Sequence, residues 1–295
     1  MQKRFRLIIG LLLVGAILWN VYWNQTIVMR TYTCQNSDIP ESFQGYRIVH
    51  LTDIHSVRDV KQGEMIYEKV RSANPDMICI TGDLIDSAYY KRNGIKGEQY
   101  TLWLLEELLK IAPVYMVYGN HEMVLLDNPD KNAFKVAVEK LGVEIINNKS
   151  FKIYSEDREE YIRLAGIQDP ATLYKSFRYA GIKTNGDRVE AMLDTVTVGV
   201  RSEEFVLLLS HRPEYLEMYD QYSLDVCLTG HAHGGQFRIP FVGGVYAPGQ
   251  GFFPKYTKGV YRTDDLEMYV GVGIGNSTIP LRIFNPPEMI TIVLE

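Results

Sequence analysis

The chain alternates short, nearly unbroken apolar runs with stretches in which apolar residues recur every three or four positions. Runs of the first kind, rich in Ile, Val and Leu, fall at 47–52, 77–81, 114–118, 205–209 and 225–228, and they predict strands buried on both faces. Helices are predicted between them. Residues 64–73 place Met65, Ile66, Val70 and Ala73 on one face before Pro75, residues 99–110 carry a Leu102, Leu105, Leu108 and Leu109 stripe, and residues 132–141 align Phe134, Ala137, Val138 and Leu141. A short helix is expected at 215–222, started by Pro213, with further strands at 151–154, 162–165, 268–272 and 289–294. Strands of this kind alternating with helices indicate a layered α/β sandwich.

The N-terminus follows a different pattern. Lys3, Arg4 and Arg6 precede an apolar run at 7–19 that continues past Asn20 to Val21, Tyr22 and Trp23. Residues 1–30 are therefore expected to form an uncleaved signal anchor, a transmembrane helix with Trp19, Tyr22 and Trp23 in an interfacial aromatic belt. A cleaved signal peptide is the competing reading, but no small-x-small cleavage site follows the run. The positive-inside rule then places the protein in the cell membrane as a single-pass chain, with its catalytic domain extracytoplasmic. Residues 31–45, polar and turn-rich with Pro40 and Gly45, read as a linker, and 46–295 as one domain.

Composition narrows the function. The 295 residues are 46% hydrophobic, enough for a full core, and a formal net charge of -5 argues against a nucleic-acid partner. Cys34, Cys79 and Cys227 are scattered and read as small core residues.

Each of the five long apolar runs ends in residues able to bind metal. The clusters are Asp53 and His55, Asp83, Asn120 and His121, His211, and His231 and His233, and they take five of the six histidines. In open α/β sheets sites lie outside the carboxyl ends of the strands, where all five clusters fall. His50, inside the first run, reads as an ordinary core histidine.

In this order the motifs Asp-x-His, Gly-Asp, Gly-Asn-His-Glu, His and Gly-His-x-His resemble the calcineurin-like metallophosphoesterase superfamily, from Tyr46 to the C-terminus. The segment Gly234-Gly235-Gln236, with Pro280-Leu281-Arg282 and Pro287-Glu288, looks most like its membrane-associated bacterial branch. The resemblance implies two central mixed β-sheets flanked by helices. It also implies two divalent ions, with Asp53, His55 and His233 holding one, Asn120, His211 and His231 the other, and Asp83 bridging them. An anionic bridge is what two dications about 3.5 to 4 Å apart require. Carboxylate, amide and imidazole ligands together suit Mn, Fe or Zn.

The expected reaction is direct attack on phosphorus by water activated between the ions, with His121 as general acid. Glu122 either orients a histidine or is a solvated surface residue. A Ser-His hydrolase is disfavoured because no Gly-x-Ser-x-Gly elbow exists. An amidohydrolase would place its His-x-His on the first strand. The implied substrate is a phosphodiester or pyrophosphate in a phosphorylated small molecule or lipid-linked precursor, with Phe237, Phe241, Phe252 and Phe253 either walling an acyl site or packing under their own loop. The alternatives are a phosphomonoesterase and a metal-binding surface scaffold without turnover.

Overall fold

The computed structural model describes residues 2–125, 133–157, 159–171, 184–276 and 281–295. The first residue of the predicted helix at 132–141, and Pro280, lie outside the described residues. Helix α1, Gln2–Asn24, is followed by strand β1, Val28–Cys34. The first half of the chain continues with β2 Arg47–Leu51, α2 Val60–Ala73, β3 Met77–Thr81, α3 Ser87–Gly97, α4 Gln99–Leu109, β4 Val114–Val117, α5 Asn120–Met123, α6 Ala133–Leu141 and β5 Glu144–Ile145. The second half holds β6 Lys149–Tyr154, β7 Tyr161–Gly166, α7 Asn185–Val196, β8 Val206–Leu209, α8 Leu216–Tyr219 and β9 Val226–Thr229. Four two-residue strands follow, β10 Arg238–Ile239, β11 Gly243–Gly244, β12 Tyr246–Ala247 and β13 Gly251–Phe252, and then β14 Gly259–Arg262, β15 Glu267–Val270 and β16 Glu288–Leu294.

These strands form two mixed six-stranded sheets, ordered β1-β16-β2-β3-β4-β5 and β14-β15-β9-β8-β7-β6. β2, β3, β4 and β5 run parallel in the first sheet, and β15, β9, β8 and β7 in the second. Period-two alternation splits each strand between two cores. Ile48, Met77, Cys79 and Val117 from the first sheet meet Leu164, Leu207, Leu209, Val226 and Leu228 from the second in a layer between the sheets. Val49, Leu51, Ile78, Ile80 and Met116 point the other way, onto Ile66 and Val70 of α2 and Leu104, Leu105 and Leu108 of α4. On the far side, Val206, Leu208, Cys227 and Met268 receive Val189, Leu193 and Val196 of α7. The result is the helix–sheet–sheet–helix sandwich anticipated above. All three cysteines are free thiols in its cores, and His50 is buried with Nε2 2.7 Å from Thr81 Oγ1.

One expectation needs correction. Residues 28–34, assigned in part to the linker, form β1, which pairs in parallel with β16 from Val28↔Glu288 to Cys34↔Leu294. The local pattern hid it because an edge strand buries few of its side chains, and its partner lies at the other end of the chain. Among the described residues no helix is long and apolar enough to cross a membrane. The last turn of α1 is committed to the domain. Asn20 Nδ2 and Asn24 Nδ2 donate to Arg282 O at 2.8 and 2.9 Å, and Phe284 N donates to Asn20 Oδ1 at 2.9 Å.

Candidate metal centre

The carboxyl ends of β2, β3, β4, β8 and β9 converge from the two sheets on one place, and the loops leaving them are stitched together by backbone. Asp53 N donates to Gly82 O, His55 N to Asp83 O, and Gly230 N to His211 O. Such close approach excludes side chains at two positions. A Cβ on Gly82 would strike Gly119 N and His211 Nδ1, and one on Gly230 would strike Thr52 and Asp53. Five of the seven predicted ligands, Asp53, His55, Asp83, His231 and His233, have φ between 46° and 60°. Left-handed backbone costs a non-glycine residue roughly 1–2 kcal/mol. It persists where surrounding structure over-determines it, which is the common condition at functional sites.

Three groups of ligand atoms form: Asp53 with His55 and His233, Asp83 with His211 and His231, and His55 with Asp83 and His121, the atoms of each lying within 4.8 Å of one another. In the first, His55 Nε2 is 3.1 Å from His233 Nε2, which is 3.2 Å from Asp53 Oδ1. In the second, His231 Nδ1 is 3.1 Å from His211 Nε2. Asp83 Oδ2 lies between the groups, 3.8 Å from His55 Nε2 and 3.4 Å from His211 Nε2. Asn120 opens α5, and its Oδ1 is buried with no hydrogen-bond partner.

The surroundings select which atom of each side chain faces the centre. Thr52 Oγ1 and His231 N both donate to Asp53 Oδ2, at 2.7 and 2.9 Å, leaving the buried Oδ1 without a donor. His211 Nδ1 donates to Thr81 O at 2.6 Å, so Nε2 is the free nitrogen. Ser87 N donates to His121 Nδ1 at 2.9 Å, which puts the neutral ring's proton on Nε2, 4.0 Å from Asp83 Oδ2.

Charge is unevenly shared. Burial pushes Asp53 up to about 6, whereas Asp83, despite its burial, is held well below the usual carboxylate range by His211, His121 and His55. Burial keeps His231 and His233 far below the ordinary histidine value, so both rings are neutral and retain ligand lone pairs. Burial also opposes charge on His211, but Asp83 and Asp53 outweigh it and push the ring up to about 10, so that a cation held at Nε2 would take the place of the proton that these carboxylates favour there.

This donor set fits two divalent ions. Nitrogens 3.1 Å apart with lone pairs converging repel in the absence of a cation or proton, and metal–nitrogen bonds of about 2.0–2.1 Å bring neighbouring ligands to about that spacing. Buried oxygens of Asp53 and Asn120 have no hydrogen-bond partner, as free ligand atoms would.

Other contributors carry weaker sequence signals. Glu122 is neither on the surface nor against a histidine. Its Oε2 accepts from Asp83 N and Gly119 N, both at 2.9 Å, and its Oε1 from Ile85 N at 3.0 Å, so it pins the loop that carries Asp83. Buried Arg212, next to His211, forks onto Asp169 with Nε–Oδ2 at 2.6 Å and Nη2–Oδ1 at 3.2 Å, tying together the loops after β8 and β7. Glu98 accepts from Ser56 and Thr101 at 2.8 and 2.7 Å and braces the loop after β2. Of these, only Glu122, inside a motif, was visible beforehand.

Residues 46–235 match the family model described as calcineurin-like phosphoesterase. The chain belongs to this family. It is thus a metallophosphoesterase, a hydrolase acting on phosphoric esters in a family that binds two divalent metals. The chain is similar to an uncharacterized metallophosphoesterase, YkuE, of Bacillus subtilis, 28% identical over 280 residues that cover 90% of this chain and 84% of the relative. It is 31% identical over 267 residues to a Danio rerio transmembrane protein with metallophosphoesterase domain, covering 87% of this chain and 55% of the relative, and so spans about half that protein's length. Phosphodiesterase YaeI of Escherichia coli is 25% identical over 248 residues, 83% of this chain and 80% of the relative.

Proposed function

We propose that this metallophosphoesterase hydrolyses a phosphodiester or pyrophosphate bond with two divalent transition-metal ions, Mn, Fe or Zn. Asp53, His55 and His233 hold one ion, Asn120, His211 and His231 the other, and Asp83 is shared. The observation that carries this reading is the position of Asp83 Oδ2, a single carboxylate oxygen within 3.8 Å of an imidazole nitrogen from each group. When bound, the ions acidify water and neutralise phosphoryl charge.

The chain's own residues orient the reaction. Thr52 and the His231 amide hold Asp53 so that only Oδ1 is offered, and Thr81 O holds His211 so that only Nε2 is offered. Ser87 keeps the His121 proton on Nε2, facing the centre, and we assign that proton to the departing oxygen. The printed name of the Escherichia coli relative favours a diester over a monoester.

Full-length protein loaded with Mn is expected to hydrolyse bis-p-nitrophenyl phosphate faster than p-nitrophenyl phosphate, to lose activity in EDTA and to regain it with Mn. A monoester preference would replace this reading with a phosphomonoesterase. Two bound ions and no turnover with Mn, Fe or Zn would leave a metal-binding scaffold.

The same proposal places the domain at the extracytoplasmic face of a membrane, acting on lipid-linked or envelope phosphates. It is supported by the printed name of the Danio rerio relative and by exposed Trp19 and Tyr22 on α1. Phe241, Phe252 and Phe253 are exposed instead of packed under their loop, and Phe241 and Phe253 have φ of 67° and 53°. In vesicle flotation, the triple Phe241→Ala, Phe252→Ala, Phe253→Ala variant should lose most lipid binding; unchanged flotation would remove the aromatic segment from this account.

A further inference from the structure

A cavity of about 680 Å3 opens beside His55 and extends to the last turn of α1. That is the size of a small-molecule site, far larger than one phosphate needs. Arg58, Arg282 and Asp86 supply its charges, and Asn20, Val21 and Asn24 of α1 its outer wall.

Arg282 is buried at 2% exposure. Its Nη2 donates to Val272 O and Gly275 O, while Nε and Nη1 have no acceptor. A buried guanidinium with three unused N–H bonds, one on Nε and two on Nη1, is costly, because each unmade bond leaves a desolvated donor. Asp53 and Glu288 favour its charge from a distance, although burial brings its pKa down to about 10. Arg58 is fixed by an Nη2–Asp86 Oδ2 ion pair of 3.0 Å and by stacking 3.7 Å over Tyr89. Asp86 offsets one of the two positive charges, so the lining keeps one in excess. Guanidinium groups present planar forks that match phosphate and carboxylate oxygens.

We propose that this cavity is a subsite for a second anionic group of the substrate, a phosphate or carboxylate beyond the reacting phosphorus, with Arg58 and Arg282 as anchors and the end of α1 as its wall. The inference rests on the phosphoesterase reading of the adjacent centre. A substrate whose phosphoryl group lies at that centre has this cavity beside His55 to receive the rest of the molecule. α1 then takes part in recognition: its asparagines bond to the carbonyl of Arg282, itself one of the residues that line the cavity.

The test is equilibrium binding to the full-length, Mn-loaded protein, desalted to remove free metal, with three probes that contain no hydrolysable ester. Methylphosphonate carries one anionic group, phosphonoacetate adds a carboxylate, and methylenebisphosphonate adds a second phosphoryl. In the wild type at least one two-anion probe is expected to bind about tenfold tighter than methylphosphonate, a preference of about 1.4 kcal/mol, and the tighter of the two identifies the group. Arg58→Gln should reduce the ratio to within about threefold at unchanged metal content. Arg282→Gln should do the same, and if it does not fold, Arg58→Gln decides alone. Equal binding of all three probes by the wild type, or an undiminished ratio in Arg58→Gln, would overturn the subsite. An intact ratio in a protein that hydrolyses no phosphoester supports the subsite and rejects only the reaction proposed above.

Discussion

Replacing Glu122 by Gln changes one oxygen to an amide nitrogen with almost no change in shape. The carboxylate accepts three backbone N–H groups, from Asp83, Gly119 and Ile85. Whichever way the amide turns, its NH2 meets at least one of those donors. With the oxygen placed toward Asp83 and Gly119, Ile85 N–H is left buried and unpaired. A lost bond to a charged acceptor together with an unsatisfied donor amounts to about 2–4 kcal/mol. For a domain of this size that is a fall of roughly 5–10 °C in melting temperature. Burial and Asp83 push Glu122 up to about 8, so part of the charged acceptor's advantage is already offset, which favours the lower end. The loop that loosens carries Asp83, whose Oδ2 serves both ligand groups. Metal content should therefore fall at both sites, with activity down about 10- to 100-fold. Thermal melts of metal-free protein, metal analysis and kcat measure the three effects. Wild-type stability with two ions retained would falsify the claim that Glu122 sets the position of Asp83.

Other outcomes follow from the same geometry. His121→Gln should lower kcat about 10²- to 10⁴-fold while both ions remain bound, since His121 is assigned a proton and no metal; loss of an ion would make it a ligand. His233→Ala should deplete mainly the ion held with Asp53 and His55, and His231→Ala mainly the other, so proportional loss of both in each variant would show the division to be wrong. Asp169→Asn leaves the buried Arg212 guanidinium with Glu214, 3.2 Å from Nη1, as its remaining carboxylate partner and should destabilise by roughly 1.5–3 kcal/mol in urea unfolding, with a shift under about 0.5 kcal/mol counting against the pair as the tie between the two loops. Glu204 bears on acid stability: burial opposes its charge, but Arg163, Tyr161 and Arg201 bring it down to about 2 from 4.5. Because the folded value is the lower one, its stabilisation is fully present above pH 4.5 and disappears as pH falls toward 2. Glu204→Gln should flatten the pH dependence of unfolding in that window, and an unchanged slope would assign it to other carboxylates.

The amino-acid sequence by itself determined the strands that carry the site and the residues at their ends. Both are local properties: a doubly buried strand declares itself as an apolar run, and a ligand at its carboxyl end follows within a few residues. Tertiary structure decided everything that depended on distant partners. β1 is recognisable only beside β16, some 260 residues away, and Glu122 only once the loops of Asp83 and Gly119 close around it. The end of α1 is tied to the domain through Asn20 and Asn24, which bond with the chain at Arg282 and Phe284, partners that no local pattern reveals. Which oxygen of Asp83 stands between the two imidazole groups, and that a cavity joins His55 to the end of α1, follow from how two sheets pack. Packing brings side chains within 4 Å across hundreds of residues, and no local pattern encodes that distance.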